Sequence, residues 1–251
     1  MQNLDVETLY EAPLAMEKEH LADVACECLR LDCREPDMRE WQEMVDNLKH
    51  LEKDVTVALV GKYTTLHDAY ISVVESLKHG GLAHKSNVNI KWVSSEDIDD
   101  NNVAEILGDV SGIIVPGGFG DRGTDGMISS IRYARENDIP FLGLCLGMQL
   151  CIVEFARHVC KFNDAHSIEL DPQTTHPVIH LMADQDGVED IGGTLRLGAY
   201  PCALDRDSLA FKLYGKEEIS ERHRHRYEVN NYYRSDLEKA GMKLCGLSPD
   251  G

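Results

Sequence analysis

The stretch Phe141-Leu142-Gly143-Leu144-Cys145-Leu146-Gly147-Met148-Gln149 runs from an apolar segment into a cysteine flanked by glycines, with an apolar helix-like segment directly after it. This is the sequence form of a nucleophile elbow, a sharp strand-to-helix turn that pushes a reactive side chain into a pocket. Side chains at Gly143 and Gly147 would crowd such a turn, whose central residue carries backbone strain. A cysteine there meets the partial positive charge of a helix N-terminus, which lowers thiol pKa and favours the thiolate. Taken alone, a G-x-C-x-G fits a buried structural cysteine equally well, because free cysteine is among the most buried residue types. The surroundings shift that balance.

Upstream of the elbow, short apolar runs alternate with helical patterns. Val55–Val60 reads as a buried strand, and Asp68–Lys78 as a helix closed by Gly80-Gly81. Val88–Val93 alternates like a second strand, and a helix near Val103–Leu107 leads to a strand at Gly112–Val115. A glycine-rich loop and a helix over Gly126–Asn137 precede the strand that ends at Cys145. Strands joined in this way pair in parallel through right-handed crossovers, which predicts an α/β fold with a doubly wound, mainly parallel sheet. Ligands bind such sheets at the carboxyl ends of the strands, where both the loop and Cys145 fall. After Cys160 the pattern loosens, with strands expected at Val178–Met182, Thr194–Tyr200 and Arg224–Asn230.

The first fifty residues read as a helical arm. Leu9, Leu14, Met16, Leu21, Val24 and Cys28 are spaced loosely like one apolar face, and Pro36–Leu51 suggests a helix with Trp41, Met44, Val45 and Leu48 inward. That is too little apolar surface for a domain of its own. Cys26, Cys28 and Cys33 match no common zinc spacing and read as packing residues.

The 251 residues are 43% hydrophobic and carry a formal net charge of -19, which describes a globular chain and argues against nucleic acid as a partner. No apolar run approaches the ~18 residues a membrane span needs. Eight scattered cysteines without a signal-peptide pattern point to reduced thiols in a cytoplasmic setting. The run Arg222-His223-Arg224-His225-Arg226 is a positive island suited to one small anion.

Pro116-Gly117-Gly118-Phe119-Gly120-Asp121-Arg122-Gly123 follows a strand, so its backbone N–H groups can converge on a ligand oxygen as an oxyanion hole requires. Neither G-x-G-x-x-G nor the phosphate-loop pattern is present, and Gly61-Lys62-Tyr63-Thr64 lacks the glycine a phosphate loop needs five residues earlier. A thiolate needs a base. His166, His176, His180, His223 and His225 lie downstream, none beside a carboxylate that would orient it. Asp184, Asp186, Glu189 and Asp190 lack calcium-loop spacing and read as a solvated loop.

With these residues together, Pro116–Gly120 followed by Phe141–Gln149 resembles the class I (triad) glutamine amidotransferases. Gly61-Lys62-Tyr63, Asp68–His79, Gly193–Gly198 and Glu221–Asn230 narrow the resemblance to the branch that aminates UTP to CTP, and the arm resembles the end of that branch's synthetase (amidoligase) domain. The resemblance implies a flavodoxin-like amidotransferase domain over 53–251 and a synthetase tail with linker over 1–52. It implies that Cys145 attacks glutamine to form a glutamyl thioester, and that Gly118, Phe119, Leu146, Gly147, Met148, Gln149, Glu169 and Arg226 bind glutamine. Glu169 would take the substrate's ammonium, and Arg226 its carboxylate in bidentate fashion. ATP and magnesium belong to the synthetase domain and GTP is an activator, so no cofactor or metal is expected on this chain. Intact members are homotetramers. The family's general base lies in a His-Pro-Glu motif, which these 251 residues do not contain. The chain is therefore expected to be a portion of a longer enzyme with little activity of its own. Two alternatives stay open: a non-catalytic glutamine-binding or interaction module, and another thiol hydrolase of the same fold, such as a γ-glutamyl hydrolase.

Overall fold

The computed structural model describes residues 5–181 and 196–249. Two compact units divide the chain, residues 1–55 with 72–89 and residues 56–71 with 90–251. The expected acidic loop Asp184–Asp190, Met182 and the start of the Gly193–Gly198 motif lie outside the described residues.

The first unit holds α1 (Ala12–Lys18), α2 (Leu21–Leu29), α3 (Arg39–Leu48) and the body of α4 (Ile71–Ala83). His20 and Arg30 take the left-handed conformation at the two ends of α2. Leu31 N–H donates to Cys26 C=O at 2.9 Å and Arg30 N–H to Glu27 C=O at 3.1 Å, the paired bonds that terminate a helix. These breaks interrupt the expected continuous apolar face. Leu9, Met16, Val24 and Cys28 are exposed, while Val45 in α3 is buried at 1% exposure. Trp41 is half-open and donates its indole N–H to Tyr10 C=O at 2.7 Å. Cys28 and Cys33 are exposed rather than packed. The helix expected to close at Gly80-Gly81 runs on to Ala83. A Cβ at Gly81 would lie 2.5 Å from both Ser86 O and Val88 Cγ2. The glycine there permits close approach to the following strand instead of stopping the helix.

The second unit is built on a sheet of order β2-β1-β3-β4, in which it contributes β1 (Lys53–Gly61) from residue 56 on, β2 (Ser86–Ser94) from residue 90 on, and all of β3 (Gly112–Val115) and β4 (Phe141–Gly143). β1 and β3 pair in parallel with Val57 opposite Gly112, and β3 and β4 with Ile113 opposite Phe141. The crossovers run through α5 (Val103–Leu107) and α6 (Thr124–Glu136), and α7 (Leu146–His158) follows β4. The expected doubly wound parallel sheet is thus present. Its core gathers Ala58, Val60, Ile113, Val115, Met127 and Leu150, each large side chain contributing about 1.5–3 kcal/mol of burial.

The remaining strands form two small sheets. β5 (His166–Ser167), β6 (Pro177–Leu181) and β9 (Tyr227–Val229) make one, and β7 (Arg196–Leu204), β8 (Glu218–His225) and β10 (Gly246–Leu247) the other. The single strand expected over Arg224–Asn230 is therefore split at Arg226. β8 pairs antiparallel with β7, whereas β9 pairs antiparallel with β6.

Candidate active site

Cys145 caps the N-terminus of α7 with φ 53° and ψ -107°. A non-glycine residue at positive φ costs on the order of 1–3 kcal/mol and persists only where its surroundings enforce it. Here they do. Leu144 N–H donates to Val115 C=O at 2.9 Å, Gly147 N–H to Leu144 C=O at 2.9 Å, and Gln149 N–H to Cys145 C=O at 3.1 Å. A Cβ on Gly143 would stand 2.6 Å from Gly147 C and O, and one on Gly147 only 2.0 Å from Val115 O. Both glycines are thus required by close backbone approach, and the turn carries Cys145 outward at the carboxyl ends of β3 and β4.

The glycine-rich loop closes against the thiol. A Cβ on Gly117 would meet Cys145 Cβ at 3.4 Å, and one on Gly118 would meet Leu146 Cδ2 and Lys62 Cδ, each at 3.5 Å. Lys62, at 5% exposure, donates from Nζ to Phe119 C=O at 3.1 Å and to Gly120 C=O. Burial, and then the Arg122 charge, push its pKa down. Lys62 is aimed by its own strand end: Tyr70 Oη accepts from Lys62 N–H at 3.1 Å and Tyr63 N–H at 3.3 Å. Arg122, at the far side of the loop, donates to Lys62 C=O at 3.3 Å and pairs with Glu96. Phe119 itself is 67% exposed.

The charges around Cys145 act in opposing directions. Surrounding protein desolvates the thiolate and raises the thiol pKa although the residue has solvent access. A hydrogen bond from Leu146 N–H opposes this, and the Glu169 charge adds to it. The expected lowering of the thiol pKa is therefore reversed, because one helix-terminal donor does not outweigh desolvation. Glu169 follows β5, its N–H bonded to Ser167 Oγ at 3.3 Å. Burial pushes its carboxyl up, opposed by Lys62 and then Arg226. Arg226 sits at the break between β8 and β9, with Nε buried and without a hydrogen-bond partner. Gln149 is buried and donates from Nε2 to Tyr227 C=O at 3.0 Å, which ties α7 to the segment carrying Arg226. Met148 is partly exposed, and Leu146 and Gly147 are buried. Of the residues singled out in the sequence, Gly118 lies against Leu146 of the elbow, the Glu169 charge acts on Cys145 and the Arg226 charge acts on Glu169.

Lys62 is the addition. The sequence shows only a lysine after a strand-ending glycine, with nothing to mark it as buried. The histidines are engaged elsewhere. His166 Nδ1 accepts from Ser167 N–H at 2.9 Å, and its pKa is lowered by burial and then by Arg157. His180, His223 and His225 place Nδ1 against the carbonyls of Leu181, Glu221 and Tyr227. Contrary to expectation, His176 does have a carboxylate orienter, with Nδ1 2.6 Å from Asp164 Oδ1. That pair lies at the other end of α7 from Cys145, stacked on Phe162, whose N–H bonds to Ala156 C=O. A 13-residue helix is about 20 Å long, so the pair is out of reach of the thiol. Among the described residues, no group of three or more His, Cys, Asp or Glu side chains is placed to hold a metal ion, and no helix is long and apolar enough to cross a membrane.

Comparison with known proteins gives a consistent picture. Residues 65–251 match the family model "Glutamine amidotransferase class-I". CTP synthase from Clostridium kluyveri is 56% identical over 250 residues, covering 100% of this chain and 47% of that protein. CTP synthase from Geobacillus kaustophilus is 55% identical over 247 residues, covering 98% of this chain and 46% of that protein. This chain spans about half the length of these relatives. Among solved structures, the Trypanosoma brucei CTPS glutaminase domain with bound acivicin matches with a TM-score of 0.71 at 38% identity, covering 77% of this chain and 75% of that one.

Proposed function

The chain belongs to the class-I glutamine amidotransferases, and from that premise we propose that it is the glutamine-hydrolysing portion of a CTP synthase. The observation that carries this reading is the strained Cys145 elbow packed against Gly117 and Gly118, with an acidic and a basic side chain near it. Glutamine presents two charges and a carboxamide, and the site offers a partner for each. Glu169 pairs with the α-ammonium. Arg226, whose buried Nε has no protein partner, takes the α-carboxylate; an unmet buried donor costs about 1–3 kcal/mol until an acceptor satisfies it.

Cys145 Sγ, as thiolate, attacks the carboxamide carbon. The developing oxyanion is held by the N–H groups of Gly118 and Leu146. Collapse of the tetrahedral intermediate breaks the C–N bond as the nitrogen takes up the proton that the thiol gave to the base, releasing ammonia and leaving the glutamyl thioester. Water then attacks the thioester carbon, releases glutamate and restores the thiol. Because the thiol pKa is raised in this structure, forming the thiolate calls for a base. The family supplies it from a His-Pro-Glu motif absent from these 251 residues, so the chain on its own turns glutamine over slowly or not at all. Ammonia passes to the synthetase domain of the same enzyme, where ATP and magnesium serve the amination of UTP, with GTP as activator, in a cytoplasmic homotetramer. The experiment is to treat the intact enzyme with a glutamine-shaped diazoketone and map the modified peptide. Alkylation at Cys145 that glutamine suppresses is expected; modification confined to another cysteine refutes the assignment.

A further inference from the structure

We propose that Lys62 is a positioning residue for glutamine hydrolysis, its ammonium fixing the peptide orientation of the oxyanion loop; this rests on the glutaminase reading. The loop carries glycines at positions 117, 118 and 120, and glycine peptides rotate at little steric cost. A catalytic donor must hold one direction to be useful, because preorganisation is what makes an oxyanion hole effective. Something outside the loop has to supply that restraint.

Lys62 meets the requirement from three sides. Its Nζ donates to two successive carbonyls, Phe119 at 3.1 Å and Gly120. Each peptide is planar, so holding these carbonyls fixes the 119–120 and 120–121 peptides, the stretch of loop that directly follows the Gly118 donor. Its aliphatic stem lies beneath Gly118, within 3.5 Å of where a Cβ would stand. Its C=O accepts from Arg122, which closes the loop's far side. A buried lysine ordinarily pairs with a carboxylate, and at 5% exposure Lys62 instead has its ammonium on the backbone of this loop. Buried charge-assisted bonds of this kind are stronger than those at a wet surface.

The test is Lys62→Met in the intact enzyme, which keeps the stem and removes the donors. Glutaminase kcat should fall on the order of 10²-fold, the loss seen when an oxyanion donor is misplaced, while KM for glutamine stays within about threefold. Hydrogen exchange should quicken in peptides spanning residues 117–121 and remain slow in β1 and β3, which shows that the variant is folded. Unchanged kcat, a raised KM at unchanged kcat, or a fall in kcat without faster loop exchange each overturns the proposal. Wild-type enzyme that turns over no glutamine in the same assay removes the glutaminase reading itself and this inference with it, whereas an active wild type with an unaffected variant removes only the inference.

Discussion

Replacing Gly147 by alanine tests the elbow as a mechanical object. The new methyl carbon would stand 2.0 Å from Val115 O and 2.8 Å from Val115 C. Ordinary carbon–oxygen contacts begin near 3.3 Å, so α7 and β3 must part by roughly 1.3 Å. Neither neighbour is a flexible side-chain tip; both are backbone atoms of a central strand. The shift also strains the 2.9 Å bond from Leu144 N–H to the same Val115 oxygen, which helps hold Cys145 at positive φ. Overpacking of this kind costs about 1–3 kcal/mol, and a misplacement of about 1 Å at a reacting centre costs on the order of 10² in rate. The assay compares Cys145 alkylation by the diazoketone with that by iodoacetamide in the intact enzyme, alongside thermal unfolding. The diazoketone rate should drop about 100-fold with a far smaller change for iodoacetamide, since the first needs an ordered site and the second only an accessible thiol. Gly80→Ala is the control: its Cβ meets nothing within 4 Å, and alanine in a helix interior should stabilise by about 0.5–1 kcal/mol. If Gly147→Ala keeps the diazoketone rate within about twofold and the melting temperature of wild type, the steric account of the elbow is wrong.

Two further predictions concern stability. Glu154 is buried at 1% exposure, with Arg135 Nε 3.0 Å from Oε2 and Nη2 2.8 Å from Oε1. Arg135→Met should lower stability by roughly 2–4 kcal/mol in urea titrations, allowing for partial solvent screening of the guanidinium, and Glu154→Leu in that background should recover much of the loss. Asp164 is held far below the usual carboxylate range by the Thr175 hydroxyl and N–H, and then by His176. Its folded pKa is depressed, so its contribution is present above its unfolded value of about 4 and fades as pH falls below it. Asp164→Asn should therefore flatten the acid limb of melting temperature against pH; an unchanged limb would assign acid lability to other carboxylates.

The parts of this fold that could be read in the sequence are those governed by local rules. Gly112–Val115 and Val103–Leu107 are bounded in the structure as their patterns predict, because a short apolar run between turn residues has few alternatives. The glycines around Cys145 were likewise legible, since a tight turn demands them. Features set by distant partners were not. Gly80-Gly81 resembles a helix stop, but Gly81 answers to Ser86 and Val88 across a turn. Arg224–Asn230 resembles one strand, but its halves belong to different sheets because β7 and β6 claim them separately. His176 meets Asp164, twelve residues away, in a pairing no local motif displays. The charge of Lys62 argues for the surface until the carbonyls of Phe119 and Gly120, 57 and 58 residues on, are brought to it. The thiol pKa of Cys145 depends on a balance between desolvation and one amide donor, and spacing alone carries no measure of desolvation.

The most direct measurement is glutamate release from glutamine by this 251-residue chain and by the same chain extended through a His-Pro-Glu segment, assayed side by side. The account predicts turnover in the extended chain, abolished by Cys145→Ala, and little or none in the shorter one. Equal turnover in both would contradict it, by showing that a histidine already among these residues serves as the base.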